Sequence, residues 1–458
     1  MYDLIIRSGT IVTTAGFIRA DLGVRDGRIA AVAVPETLGA SDHIVDARGK
    51  HVLPGLVDAH AHLREPGFTY KEDVGSGTQA AAAGGVTTVM AIPNTNPPLT
   101  TPDALHAAAE LASRKAVVDF AVFAGACMAD PEGVTAFSDK GPIGFDLYDD
   151  PYAFGSASWV DLFCRVRRTG LPLAFYLSDK HLQDRIRGEL EDQGVPAAGR
   201  FARTTTAATE VAAMARIIPL AAHFDVPVVL RAVTTPEGLA FVREVRLAYP
   251  GARVAVEMCV HHLFLTTDEL AEMGNRALML PPLRPRAELD ALWRAVRGGT
   301  VDYLCTDHAP HAPEEKTEHP PFLAPPGIIG LETWLPLLLN ACAGRRLTLP
   351  DVVRLCCEQP ARTYGIFPRK GAITIGADAD LILVNLDERW RIDGSRFYSR
   401  GDRGPFDGWV VTGRPYLTMV RGRPVMIDGA VDRSPWGRFV VPESPTRELR
   451  PEHPEHTA

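Results

Sequence analysis

Gly55-Leu56-Val57-Asp58-Ala59-His60-Ala61-His62-Leu63-Arg64-Glu65-Pro66-Gly67 reads as an apolar strand that runs into two histidines, an arginine and a Pro-Gly turn. Side chains two apart on a strand share a face, so the rings of His60 and His62 can grip one ion. A pair of solvated or merely hydrogen-bonded rings is the bland alternative. Downstream, short apolar runs recur, among them Val86-Thr87-Thr88-Val89-Met90, Val226-Pro227-Val228-Val229-Leu230 and Val301-Asp302-Tyr303-Leu304-Cys305, each beside an Ala-rich helical pattern. That alternation predicts an α/β fold with parallel strands buried on both faces. A (β/α)8 TIM-like barrel is the simplest closure. A doubly wound sheet has the same strand count, so the position of the polar residues decides. They cluster at strand C-termini, where a barrel collects its catalytic groups.

Outside this core both ends of the chain are strand-rich. Leu4-Ile5-Ile6, Gly9-Thr10-Ile11-Val12 and Leu22-Gly23-Val24 precede an Asp26-Gly27 turn signal, and Ala379-Asp380-Leu381-Ile382-Leu383-Val384 repeats the texture late in the chain. The two ends are expected to close on each other as one small β-domain. The expected division is 1–53 for its first part, 54–368 for the barrel and 369–442 for its second part, with a Pro-, Glu- and His-rich tail at 443–458 expected to be disordered.

The 458 residues carry 48 Lys plus Arg against 56 Asp plus Glu, a formal charge of −8, with 46% hydrophobic residues. This composition excludes a disordered or collagenous chain, and the acidic balance leaves no basic field for nucleic acid. No run approaches the about 20 apolar residues of a membrane helix, and the N-terminus lacks a signal-peptide pattern, so the expected setting is cytoplasmic, without membrane or nucleic-acid partners. Seven scattered cysteines have no metal-type spacing and predict free thiols rather than a disulfide framework.

Two further clusters carry chemistry. In Tyr303-Leu304-Cys305-Thr306-Asp307-His308-Ala309-Pro310-His311 an apolar strand ends in an acid and two histidines. A carboxylate there can bind a metal through one oxygen and take a proton from water with the other, whereas a helix cap or an arginine partner is its ordinary role. Ala91-Ile92-Pro93-Asn94-Thr95-Asn96-Pro97-Pro98 by itself reads as a Pro-rich turn.

In this order and spacing the three clusters resemble the amidohydrolase superfamily, within it the dihydroorotase, allantoinase and hydantoinase group of cyclic amidohydrolases. The likeness spans nearly the whole chain. It includes His261-His262-Leu263, Pro281-Pro282-Leu283-Arg284 and the return passage Gly376-Ala377-Asp378-Ala379-Asp380. The resemblance implies a TIM-like barrel with a small β-sandwich domain, a metal-dependent hydrolase of cyclic amides or ureides, and a homo-oligomer. Arg64-Glu65-Pro66-Gly67, Pro93-Asn94-Thr95 and Asp307 to His311 look most like dihydroorotase. In that enzyme the positions matching Arg64, Asn94 and His311 hold the substrate carboxylate, a role that suits a guanidinium fork and an amide donor. A structural ion pair is the other reading of Arg64.

The chain also departs from the pattern. The usual two-metal version has a carboxylated lysine and two further histidines; here Asp146 stands at the lysine's place, Tyr176 at one histidine's, and Ala232, or Arg231 with a one-residue shift, at the other's. Leu280 replaces an asparagine. What survives is His60, His62 and Asp307, with Asp146 as a candidate fourth ligand, enough for one Zn2+ with an open position. The expected chemistry is a mononuclear hydrolysis in which Asp307 acts as general base and then general acid. The alternatives are an allantoinase- or hydantoinase-type substrate, or a catalytically silent scaffold subunit.

Overall fold

A computed structural model describes residues 1–137, 140–147, 154–177, 179–320 and 323–443. The tail expectation beyond Glu443 lies outside the described residues; Glu443 itself donates its backbone N–H to Gly365 O at 2.9 Å.

The chain begins with strands β1 (Tyr2–Thr13), β2 (Gly16–Arg25), β3 (Arg28–Ala33), β4 (Ser41–Asp46) and β5 (His51–Pro54). It ends with β15 (Leu381–Arg391), β16 (Val410–Val420), β17 (Arg423–Ile427) and β18 (Ala430–Val431). The two sets share one nine-stranded sheet, joined where β15 runs antiparallel to β5 with Leu381 opposite Pro54 and Leu383 opposite Val52. Alternation packs one face of this sheet: Leu4, Ile6, Ile11, Leu22, Val24, Leu381, Leu383 and Leu417 form a single apolar cluster.

Between the two ends run the parallel strands β6 (Leu56–Ala61), β7 (Val86–Ala91), β8 (Asp119–Val122) continued by β9 (Ala124–Ala126), β10 (Phe145–Leu147), β11 (Leu173–Tyr176), β12 (Val228–Arg231), β13 (Val254–Cys259) and β14 (Tyr303–Cys305). Each pairs with the next, and a parallel bridge from Ala61 to His308 joins the last to the first, closing an eight-stranded barrel. Val57, Met90, Ala121, Ala174, Val229, Cys259 and Cys305, contributed by seven of its strands, pack into one buried cluster. It is a filled core rather than a pore.

A buried ion cluster ties the barrel to the terminal sheet. Lys370 Nζ meets Asp119 of β8, Asp380 Oδ2 at 2.7 Å and Asp378 Oδ2 at 3.0 Å, and Arg421 pairs with Asp119 from the other side. Lys370 is 2% exposed. The Gly376 to Asp380 passage of the sequence is thus the acidic half of the joint. Among the described residues no helix is long and apolar enough to cross a membrane, and all seven cysteines are free.

Candidate metal centre

The C-terminal ends of β6 and β14 bring His60, His62 and Asp307 together. Asp307 Oδ1 lies 3.2 Å from His60 Nε2 and 3.1 Å from His62 Nε2, and all three residues are buried. Three donors at tetrahedral angles around zinc stand about 3.3 Å apart, given bonds of about 2.0–2.2 Å. The spacing therefore fits a single shared ion.

The other ring nitrogens make the case sharper. His60 Nδ1 lies 2.7 Å from Glu257 Oε1, and His62 Nδ1 lies 2.9 Å from Asn94 Oδ1. Both partners are acceptors, so each Nδ1 carries a proton and each Nε2 is turned toward the Asp307 carboxylate, where it can give its lone pair to an ion. Burial pushes His62 down to about 4, which keeps that ring neutral. Burial acts on His60 in the same direction, but Glu257 and Asp307 carry it above the ordinary histidine range. Burial likewise opposes charge on Asp307, yet His60 and His62 hold its carboxyl well below the usual range. Two Nε2 atoms turned onto one carboxylate oxygen leave a point that a cation can share, and orientation of each ring by its far nitrogen is how metal-binding histidines are held. The residues fit a divalent ion.

Backbone strain marks the same rim. Asp307 has φ 45°, Arg64 φ 60° and Ala232 φ 51°, a region that non-glycine residues avoid and that clusters at functional sites. Gly67 has φ +94, and a Cβ there would meet Asn96 O at 2.3 Å, so glycine lets the Arg64 loop close against the loop that carries Asn94.

Around the cluster stand groups that spacing alone did not assign. Tyr176, at the end of β11 and 38% exposed, directs its hydroxyl to His60 Nε2 at 2.7 Å. Arg231, at the end of β12, is fully buried; it donates to Glu257 Oε2 at 2.9 Å and lies 3.2 Å from Asp146 Oδ2, with its guanidinium 4.7 Å from the centre of the Phe123 ring. Glu257 also accepts from the Tyr303 hydroxyl at 2.9 Å. Asp146, expected as a fourth ligand, does not join the His60, His62 and Asp307 group. The physical reason is Arg231, whose permanent positive charge holds that carboxylate to itself. Glu257 stands four residues before the His261-His262-Leu263 motif. A lone buried acid on an apolar strand has no sequence signal for the ring it will touch.

The expected carboxylate-binding residues sit beside the ion cluster with mixed duties. Arg64 Nε donates to Pro310 O at 3.1 Å, and its Nη2 is 3.4 Å from His311 Nε2. His311 also contacts Lys71 Nζ through Nδ1 at 3.1 Å. Burial, reinforced by Arg64 and Lys71, pushes His311 down to about 3, so it is neutral. Asn94 is exposed at the mouth, with its oxygen committed to His62 and its amide N–H groups left to donate. His308, the other histidine of that motif, accepts from Gly330 N at 3.1 Å and lies 3.4 Å from Glu72, a structural assignment. A cleft of about 1010 Å3 lies elsewhere, lined by Arg114, Trp390, Arg396 and Tyr398 where the terminal sheet meets helix Val74–Ala83.

A closed eight-stranded barrel with two histidines at the end of its first strand and an aspartate just past its last, gathered at one point, is the arrangement of a barrel hydrolase with a candidate metal centre. The chain belongs to the amidohydrolase family, whose model matches residues 51–425. It is 34% identical to the dihydroorotase of Methanothermobacter thermautotrophicus over 93% of this chain and 95% of that one. It is 32% identical to the allantoinase of Solibacter usitatus over 99% and 100% of the two chains, and 30% identical to the L-hydantoinase of Paenarthrobacter aurescens over 96% and 98%. Among solved structures, L-hydantoinase from Arthrobacter aurescens superposes with a TM-score of 0.91 at 29% identity, covering 96% of this chain and all of that one.

Proposed function

We propose that the chain hydrolyses the C–N bond of a cyclic amide at a site holding one divalent ion, with a dihydroorotate-like ring that bears a carboxylate as substrate and N-carbamoyl-aspartate as the product in that case. One observation carries this reading: the lone pairs of His60 Nε2 and His62 Nε2 and the oxygen Asp307 Oδ1 converge, while Glu257 and Asn94 hold the far sides of the two rings. An ion in this set, zinc by its nitrogen and oxygen donors, would polarise the amide carbonyl and make a water acidic enough to attack near neutral pH.

The chain's own groups do the rest. Asp307 accepts the proton of the attacking water and returns it to the ring nitrogen as the C–N bond breaks, first base and then acid. Arg64 and the Asn94 amide grip the substrate carboxylate and so set the carbonyl against the attacking oxygen, with His311 held neutral beside them. Tyr176 stands over His60 as a hydroxyl donor on the substrate side. The dihydroorotase, allantoinase and hydantoinase names of the relatives agree on a cyclic amide or ureide and differ in the ring. Arg64 in the pocket favours the ring that carries a carboxylate. We take a homo-oligomer as the working assembly.

A second reading, a catalytically silent subunit, draws on the Tyr176 hydroxyl already bonded to His60 Nε2 and on Asp146 paired with Arg231. Metal analysis of protein purified without chelator, with turnover assays on dihydroorotate, allantoin and hydantoin, separates the two. About one ion per chain with turnover of one ring supports the hydrolase, given the strength of a three-ligand zinc site. No ion and no turnover supports the silent subunit.

A further inference from the structure

Arg231 sits where nothing about a single-ion site requires a guanidinium. It is fully buried beneath the ion cluster, on the strand next to β13, with a carboxylate on each side: Glu257 Oε2 at 2.9 Å and Asp146 Oδ2 at 3.2 Å. Its hydrogen bonding is incomplete. Arg231 Nε and Nη2 and both oxygens of Asp146 are buried without a partner in hydrogen-bonding geometry. The Asp146 contact is therefore held by charge more than by directed bonds. A guanidinium kept in a pocket that does not saturate its donors is there for its charge.

The charge count points the same way. Three carboxylates, Asp146, Glu257 and Asp307, touch the side chains of His60, His62 or Arg231. With both imidazoles neutral, as they are when they ligate an ion, and one guanidinium, the set leaves a net −2, which one divalent ion balances. A second divalent ion would overshoot neutrality and lie against a permanent cation in a water-poor interior, where such repulsion is weakly screened. Without the guanidinium, two neighbouring carboxylates would stand buried and uncompensated, an arrangement that a protein relieves by binding a cation or unfolding.

We propose that Arg231 takes the place of a second metal ion in this barrel: it neutralises Asp146 and Glu257, keeps Glu257 available to orient His60, and bars a second cation from the site. The proposal rests on the reading of His60, His62 and Asp307 as the one-ion centre. It adds that the space beside them is a latent cation site, closed by a side chain. Opened, that space would present Asp146, one oxygen of Glu257 and the Tyr303 hydroxyl, an all-oxygen set that suits a hard ion such as Mn2+.

The test is stoichiometry. Wild-type protein, loaded with Zn2+ or Co2+ and dialysed, should hold one ion per chain and take up no Mn2+ in its electron paramagnetic resonance titration. Arg231→Ala should hold the first ion and gain a second, visible as bound Mn2+. Arg231→Lys, which restores the charge, should return to one ion, a reversal that a merely structural arginine would not produce. If Arg231→Ala does not fold, the wild-type and Arg231→Lys titrations still decide: a second ion in either overturns the proposal. A folded Arg231→Ala that binds one ion with unchanged affinity and no Mn2+ also overturns it. Adding His60→Ala to Arg231→Ala separates the two claims. Mn2+ retained with the first ion lost supports the latent site, whereas Mn2+ lost together with the first ion places it at His60 and overturns the proposal. A wild type that binds no ion at His60 refutes the one-ion reading while the Mn2+ uptake of Arg231→Ala still supports the latent site.

Discussion

Glu257 joins two charges that the chain keeps 26 residues or more apart: Oε2 accepts from the Arg231 guanidinium at 2.9 Å, and Oε1 meets Nδ1 of His60 at 2.7 Å. The acid is fully buried. Burial alone would raise its carboxyl, but His60 and Arg231 hold it below the ordinary range, so it stays ionised and fixes the ring. The Nε2 edge of His60 therefore faces the site before any ion arrives.

Glu257→Gln should weaken that hold. The amide keeps the shape, loses the charge and can set an N–H against His60 Nδ1. Metal affinity should fall about 10- to 100-fold, the usual cost of losing such a supporting carboxylate. Competition with a chromogenic chelator measures it, and an affinity equal to wild type would show that Glu257 does not orient the ring.

Arg64→Ala removes a cation that touches no member of the ion cluster in the structure, its partners being Pro310 O and His311. With a carboxylate-bearing ring as substrate, KM should rise about 10- to 100-fold, the worth of a charged hydrogen bond, and metal content should stay at the wild-type level. Steady-state kinetics beside metal analysis reads both. An unchanged KM would point to an uncharged ureide.

Lys370→Met tests the joint between barrel and terminal sheet. The substitution leaves Asp119, Asp378 and Asp380 with Arg421 beside Asp119 and the more exposed Arg28 at 3.9 Å from Asp378. Removing one partner of a buried ion cluster costs about 3–5 kcal/mol. Urea unfolding should show that loss with the metal site intact, because Lys370 does not contact it. A midpoint equal to wild type would mean that the cluster carries little of the stability.

Glu332 gives a pH signature. Burial pushes its carboxyl up to about 8, although backbone N–H groups of Ser399 and Tyr398 act against the shift by bonding Oε1. The folded state therefore keeps a proton that the unfolded chain releases near its ordinary value of about 4.3. This acid's contribution is fully present below that value and is lost as pH rises through about 8. Glu332→Gln keeps the acceptor and cannot ionise. Its melting temperature should gain on wild type by more at pH 8 than at pH 5, and a gap that does not change with pH would contradict the assignment.

Sequence by itself determined the strand periodicity, the barrel and the His60, His62 and Asp307 set. Alternation puts His60 and His62 on one side and polar residues gather at strand ends, while the grouping of Asp307 with the two rings is what the family resemblance implies. It also located the substitutions at Asp146, Tyr176 and Arg231, but it could not say what replaced the lost groups. That was decided by tertiary structure, because Arg231, Asp146 and Glu257 belong to three different strands and meet only once the barrel closes. Whether a buried acid binds an ion or an arginine depends on which cation the fold places within about 3 Å of it, since in a low-dielectric interior the nearest opposite charge prevails. Asp146 faces a guanidinium, and Asp307 faces two imidazole rings.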